Sequence, residues 1–215
     1  MARINIFPKK LRFFNFPDIT LTLILINTFF YIIMIFSQDF VLRNIAISFD
    51  NISQLKLWTF FTSMFMHAGL IHLLANMFSL FFVGGLVEKI IGKKRYFWFY
   101  ILSGFFAGVF FIISELFFFS GLPAVGASGA IFGLIGLLVI LTPNLPVYIM
   151  LMPIPIKMKY AGPIMLVVLW LISIFGRIPI GNMAHFGGLI VGIIYGVYLK
   201  NKYKRKTEII RRYFS

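Results

Sequence analysis

Val125-Gly126-Ala127-Ser128-Gly129-Ala130-Ile131-Phe132-Gly133 places a single hydroxyl among small residues at the start of an apolar helix. Gly126 and Gly129 flank the serine and Gly133 follows one turn later, so a second backbone can approach this face closely. Small-xxx-small patterns are common in membrane helices, and on spacing alone the serine reads as packing filler before it reads as a nucleophile. A base and an oxyanion site have to come from elsewhere in the chain.

Composition sets the class. With 60% hydrophobic residues, 28 Phe and 12% charged residues in 215 positions, the chain is too apolar for a soluble domain and fits an all-α polytopic membrane protein. It has no cysteine, which removes disulfides, thiolate zinc sites and thiol nucleophiles. The net charge of +14 does not point to nucleic acid, because the basic residues fall in short clusters between apolar runs. Such clusters read as topology signals and contacts with lipid headgroups.

Residues 1–18 form a basic leader with Arg3, Lys9, Lys10 and Arg12. The apolar run Ile19 to Phe36 has no small-residue cleavage site after it, so it reads as an uncleaved first spanning helix. From Ser37 to Ile71 polar residues alternate with Trp58, Phe60, Phe61, Met64, Phe65 and Met66, as expected of short amphipathic helices in the interface, with Trp58 as an anchor. The patterning predicts helix 2 over His72 to Ile91, a turn at Gly92-Lys93-Lys94-Arg95, helix 3 over Tyr96 to Phe118 and helix 4 over Ala127 to Thr142. Pro146, Pro153 and Pro155 make Leu145 to Gly162 a connection, before helix 5 at Pro163 to Phe175 and helix 6 at Asn182 to Leu199. Residues 19–199 are thus the six-helix membrane domain with a long interfacial first loop, and 200–215 a basic tail on an anionic leaflet.

Six spans put both termini on one side. That side collects four basic residues in the leader, four from Lys89 to Arg95, Lys157 and Lys159, and seven from Lys200 onward, against Arg43, Lys56 and Arg177 on the other. The asymmetry predicts a multi-pass protein of the cell membrane with both termini cytoplasmic. Helices 2, 4 and 6 then all start on the outer side. His72 and Asn76 begin helix 2, Ser128 begins helix 4 and His185 lies in the first turn of helix 6, so these polar groups share one depth. Helix 4, at 16 residues of about 1.5 Å each, spans about 24 Å of a hydrocarbon core of about 30 Å, which sinks Ser128 below the outer surface in a cavity that water must reach from outside.

Gly188, Gly192 and Gly196 recur every four residues, and His185 projects from the same face of helix 6. That stripe permits close approach to Gly129 and Gly133, which makes Ser128 a candidate nucleophile and His185 its general base. None of the six acidic residues lies at the start of helices 2, 4 or 6, so the pair is expected to be a dyad without a carboxylate, its imidazole stacked on Phe132. His72 and Asn76 share a face at i, i+4 and, with the Ser128 backbone N–H, are candidates for an oxyanion site; interhelical hydrogen bonding is the alternative. His67 and His72 lie five apart, about 140° around a helix, with no HExxH or cysteine, so no metal and no cofactor is expected.

These residues resemble the rhomboid intramembrane serine proteases in their compact six-helix form. The similarity rests on Gly126-Ala127-Ser128-Gly129, on His72 and Asn76, on Gly84-Gly85-Leu86-Val87-Glu88 and on Ala184-His185-Phe186-Gly187-Gly188 with Gly192, and it covers the chain from about Trp58 to Tyr195. It implies a Ser128–His185 dyad, oxyanion support from His72 and Asn76, no cofactor, and substrates that are single-span membrane proteins cut in or near the bilayer. It also implies that helix 5 and the outer loops act as the substrate gate. Members commonly carry Trp-Arg in the first loop where this chain has Trp58-Thr59, so the arginine's role is absent or replaced here. Some have tyrosine at the position of Phe132. Glu88 is expected to pair or cap locally, and no extra soluble domain or seventh helix is expected. Two other classes remain open: an inactive rhomboid relative that binds and escorts membrane proteins, and a small transporter or channel.

Overall fold

The computed structural model describes residues 18–118, 121–149 and 154–214; the basic leader, residues 1–17 of the chain, lies outside them. The long apolar runs fold as helices because a helix satisfies its own backbone polar groups where no water can. They are α1 (Asp18–Phe36), α2 (Leu70–Ile91), α3 (Lys93–Phe118), α4 (Ser128–Leu141), α5 (Met158–Gly176) and α6 (Asn182–Lys202). All but α4 are long and apolar enough to cross a bilayer. At 14 residues α4 is shorter than the others, and 11 of those residues are buried. The architecture is an all-α polytopic membrane bundle built around this short central helix.

Several element ends differ from the sequence reading. Lys93, Lys94 and Arg95 are the first turn of α3 and not a turn between helices, because Gly92, with φ of 83°, reverses the chain alone. Helix α5 begins at Met158, five residues before Pro163. Pro163 lacks the N–H that would reach the Lys159 carbonyl, so the helix forgoes one backbone bond there. Part of the proline-rich connection forms an antiparallel pair, β1 (Pro146–Val147) against β2 (Ile156–Lys157). The tail is a further helix, α7 (Lys204–Tyr213), which turns Thr207 and Ile210 inward and keeps Lys204, Arg205 and Arg212 out. Arg211 Nη2 donates to the Ile140 carbonyl at 2.6 Å, satisfying an acceptor in the last turn of α4.

The same end of the bundle holds the start of α1 against the end of α2. The Glu88 carboxylate accepts from Ile19 N–H at 3.2 Å, Thr20 N–H at 2.9 Å and the Thr20 hydroxyl at 2.8 Å. Glu88 thereby caps α1 from another helix, where the first-turn amides have no partner of their own and the helix dipole favours a negative charge. Glu88→Gln puts an amide N–H against donors, and it is expected to lower stability by about 1–3 kcal/mol. A thermal melt in detergent with an unchanged midpoint would rule that out.

At the opposite end, the connection between α1 and α2 is folded and not free. It holds short helices at Gln38–Asn44, Phe49–Ser53 and Thr59–Thr62, followed by a 3-10 turn at Ser63–Phe65. Side chains satisfy its carbonyls: Trp58 Nε1 donates to Asn44 O at 2.7 Å, Lys56 Nζ to Arg43 O at 2.7 Å and Asn51 Nδ2 to Ala46 O at 2.9 Å. Lys56 is thus the cation that holds this loop, two residues before the tryptophan. Thr59, in the position following Trp58, is fully buried and donates to Lys56 O. The connection is stitched to the segment before α4 by main-chain bonds: Ile47 N–H to Ala124 O at 3.0 Å, Ala124 N–H to Ile47 O at 2.7 Å and Gly126 N–H to Ser63 O at 2.9 Å.

Candidate active site

Helices α4 and α6 meet backbone to backbone. A Cβ at Gly188 would run into the carbonyl oxygen of Gly129, and one at Gly192 into that of Gly133. Only glycine allows this approach, and it carries the starts of the two helices into contact. Ser128 is the first residue of α4 and His185 lies in the first turn of α6. Ser128 Oγ is 2.6 Å from His185 Nε2. Phe132, one turn on from the serine, stacks on the imidazole with ring centroids 4.7 Å apart and planes 18° apart.

His185 is 6% exposed, and its Nδ1 is buried with no hydrogen-bond partner among the described residues. No carboxylate among the described residues orients the ring from behind, and its plane is held by Phe132 and by the close packing of α6 on α4. The start of α4 carries no side-chain cap. Its first amides therefore remain donors at the positive end of a helix dipole, beside the serine hydroxyl.

His72 lies across Gly126 from the serine. The position a Gly126 Cβ would take is 2.9 Å from His72 Nε2 and 3.7 Å from Ser128 Oγ. Gly126 also has φ of 132°, so the loop needs glycine here for its backbone as well as for the space. Asn76 is buried, and its Nδ2 donates to the His72 carbonyl one turn back at 2.8 Å while its Oδ1 has no partner. The amide orientation follows, since a flipped Asn76 would set oxygen against oxygen. Ser128, His185, Phe132 and His72 are thus drawn into one place, whereas the hydrogen bond found for Asn76 stays within its own helix.

His67 has a position that sequence reasoning did not find. It is completely buried, with its ring edge-on to His72 at 5.1 Å between centroids, and neither ring nitrogen has a hydrogen-bond partner among the described residues. Burial, with the neighbouring His72 adding to it, holds the His67 imidazole down at about 3, so it is neutral behind His72 at physiological pH. No group of three metal-ligating side chains occurs among the described residues.

The family model described as Rhomboid domain matches residues 54–202. RHOMBOID-like protein 1 of Arabidopsis thaliana is 37% identical over 144 residues, which are 66% of this chain and 34% of that protein. RHOMBOID-like protein 6, mitochondrial, of the same plant is 37% identical over 147 residues, 66% of this chain and 43% of its own length. Rhomboid protease GlpG of Photorhabdus laumondii is 30% identical over 185 residues, 84% of this chain and 61% of that enzyme. The matched part of the chain thus spans from one third to three fifths of these relatives.

Proposed function

Since the chain belongs to the rhomboid family, we propose that it is an intramembrane serine endopeptidase that cuts membrane proteins within or beside their spanning segments. The observation that carries this reading is the 2.6 Å approach of Ser128 Oγ to His185 Nε2 at two adjoining helix starts. Ser128 attacks the peptide carbonyl as His185 Nε2 takes the hydroxyl proton, and the imidazolium then protonates the leaving amine. Water hydrolyses the acyl-enzyme by the same route in reverse. The uncapped amides of α4 and the His72 side chain hold the oxyanion, with Asn76 fixing the turn of α2 that presents His72.

A substrate helix hides its amides in its own hydrogen bonds, so it has to unwind locally before Ser128 can reach a carbonyl. Helix-breaking and small residues at the cut favour this. Substrates enter past α5, of which 17% of the spanning window is buried, less than in any other span. The charge asymmetry supports a cell-membrane location with both termini cytoplasmic and the site opening outward. The partners are then single-span proteins and lipid, with no cofactor. An activated fluorophosphonate is expected to label wild-type protein at Ser128, and His185→Ala is expected to lose the label while remaining folded. Equal labelling of the two, or a modified peptide that lacks Ser128, would overturn the assignment.

A further inference from the structure

A large groove lies away from the serine. It holds about 1160 Å³ and runs between α3 and α6 on the face turned to lipid, and its wall is almost wholly apolar. Trp98, Leu102 and Phe106 line it from α3, and Val191, Ile194 and Tyr198 line it from α6. Trp98 and Ile194 are more than half exposed, so protein does not fill it. From Arg95 to Phe110 the wall on α3 rises by fifteen helical steps of about 1.5 Å, about 22 Å, which exceeds the roughly 15 Å depth of one leaflet's hydrocarbon.

One end of this groove is cationic. Lys93, Lys94 and Arg95 form its mouth, and on α6 Lys202 stands one turn beyond the groove-lining Tyr198, donating to its hydroxyl with its ammonium 5.0 Å from that ring's centre. Two acidic groups stand near: Asp18 is paired with Lys93, and Glu88 is buried in the cap of α1. Arg95 donates through Nη2 to the Tyr203 hydroxyl at 3.1 Å, which leaves further guanidinium N–H groups. Lys94 is exposed and has no partner among the described residues. The mouth therefore keeps a net positive charge at headgroup depth, directly beneath an apolar slot as deep as a leaflet.

We propose that this groove is a binding site for an anionic phospholipid, with the acyl chains along Trp98, Leu102, Phe106 and Ile194 and the phosphate held by Lys94, Arg95 and Lys202. Charge complementarity selects this occupant over a neighbouring transmembrane helix, which would fill the slot without using the cations. The site lies on the α3–α6 face, away from α5, and does not depend on proteolysis. Native mass spectrometry of the detergent-purified full chain with added dioleoylphosphatidylglycerol or dioleoylphosphatidylcholine tests it.

Wild-type protein is expected to retain one phosphatidylglycerol through delipidation, about tenfold more than phosphatidylcholine, and glycerophosphoglycerol in excess should not displace it. Lys94→Gln combined with Arg95→Gln should remove that preference, and Ile194→Trp, which fills the slot, should lower retention of both lipids. Lys204→Gln combined with Arg205→Gln, on the exposed face of α7, should change neither. Equal retention of the two lipids by wild type overturns the proposal, as does loss of the preference in the α7 variant alone, which would mean diffuse adsorption on the basic tail. Displacement by glycerophosphoglycerol would make it a site for a soluble phosphodiester, and cross-linking of Ile194→Cys to a second copy of α6 would make the slot a helix interface. Either result also overturns the proposal.

Discussion

Ser128→Ala is expected to abolish cleavage of a single-span reporter substrate, by at least about 10³-fold in kcat/KM, while the bundle keeps its melting temperature. The large effect follows from what the hydroxyl does on this reading: it forms the covalent intermediate, and no other group near His185 Nε2 can replace it. The small effect on folding follows from its place. Ser128 is a half-buried first residue of α4, its hydroxyl bonded to the imidazole and to no backbone group, so alanine removes one contact and leaves no large void. Gel-based cleavage in proteoliposomes, with a melt of the same preparation, reads both quantities. Residual cleavage within tenfold of wild type would mean that the nucleophile is elsewhere, or that the chain binds membrane proteins without cutting them.

Gly188→Ala is expected to be nearly as damaging to activity and far more damaging to the fold. Its single methyl would occupy the place of the Gly129 carbonyl oxygen, and a backbone atom cannot swing aside as a flexible side chain would. The two helices must part, at an overpacking cost of about 1–3 kcal/mol, and their starts carry Ser128 and His185. A shift of about 1 Å there lengthens the hydrogen bond on which proton transfer depends, with an expected loss of about 10²-fold. Gly69→Ala serves as the control, because nothing lies within 4 Å of the added carbon. If Gly188→Ala melts and cleaves as wild type does, the backbone contact of α4 with α6 does not position the pair.

The approach of α6 to α4 is legible in the sequence because its determinant is the absence of side chains, and Gly188 and Gly192 carry that absence in their identity. The spans are legible for a similar reason, since a run such as Ile19 to Phe36 has one stable solution in hydrocarbon. Boundaries were harder to read. Lys93, Lys94 and Arg95 look like a polar turn, yet a helix can project lysine and arginine past its first turn into the headgroups while Gly92 reverses the chain. Helix α7 is hidden because two inward residues, Thr207 and Ile210, fall below any apolar run, and the Arg211 bond to Ile140 spans 71 positions. His67 was missed because burial beside His72 depends on how the first connection folds, and nothing local to His67 records it.

The bonds between that connection and the loop before Ser128 run from main chain to main chain at Ile47, Ala124, Ser63 and Gly126. Apart from Gly126, which has to be glycine, residue identity therefore matters little to the bonds themselves. Side chains elsewhere in this region can change and keep the same seam. Proline at position 47, 124 or 126, or an insertion that slips the register, would cut it. The address of the serine is written there in chain length and amide geometry as much as in side chains.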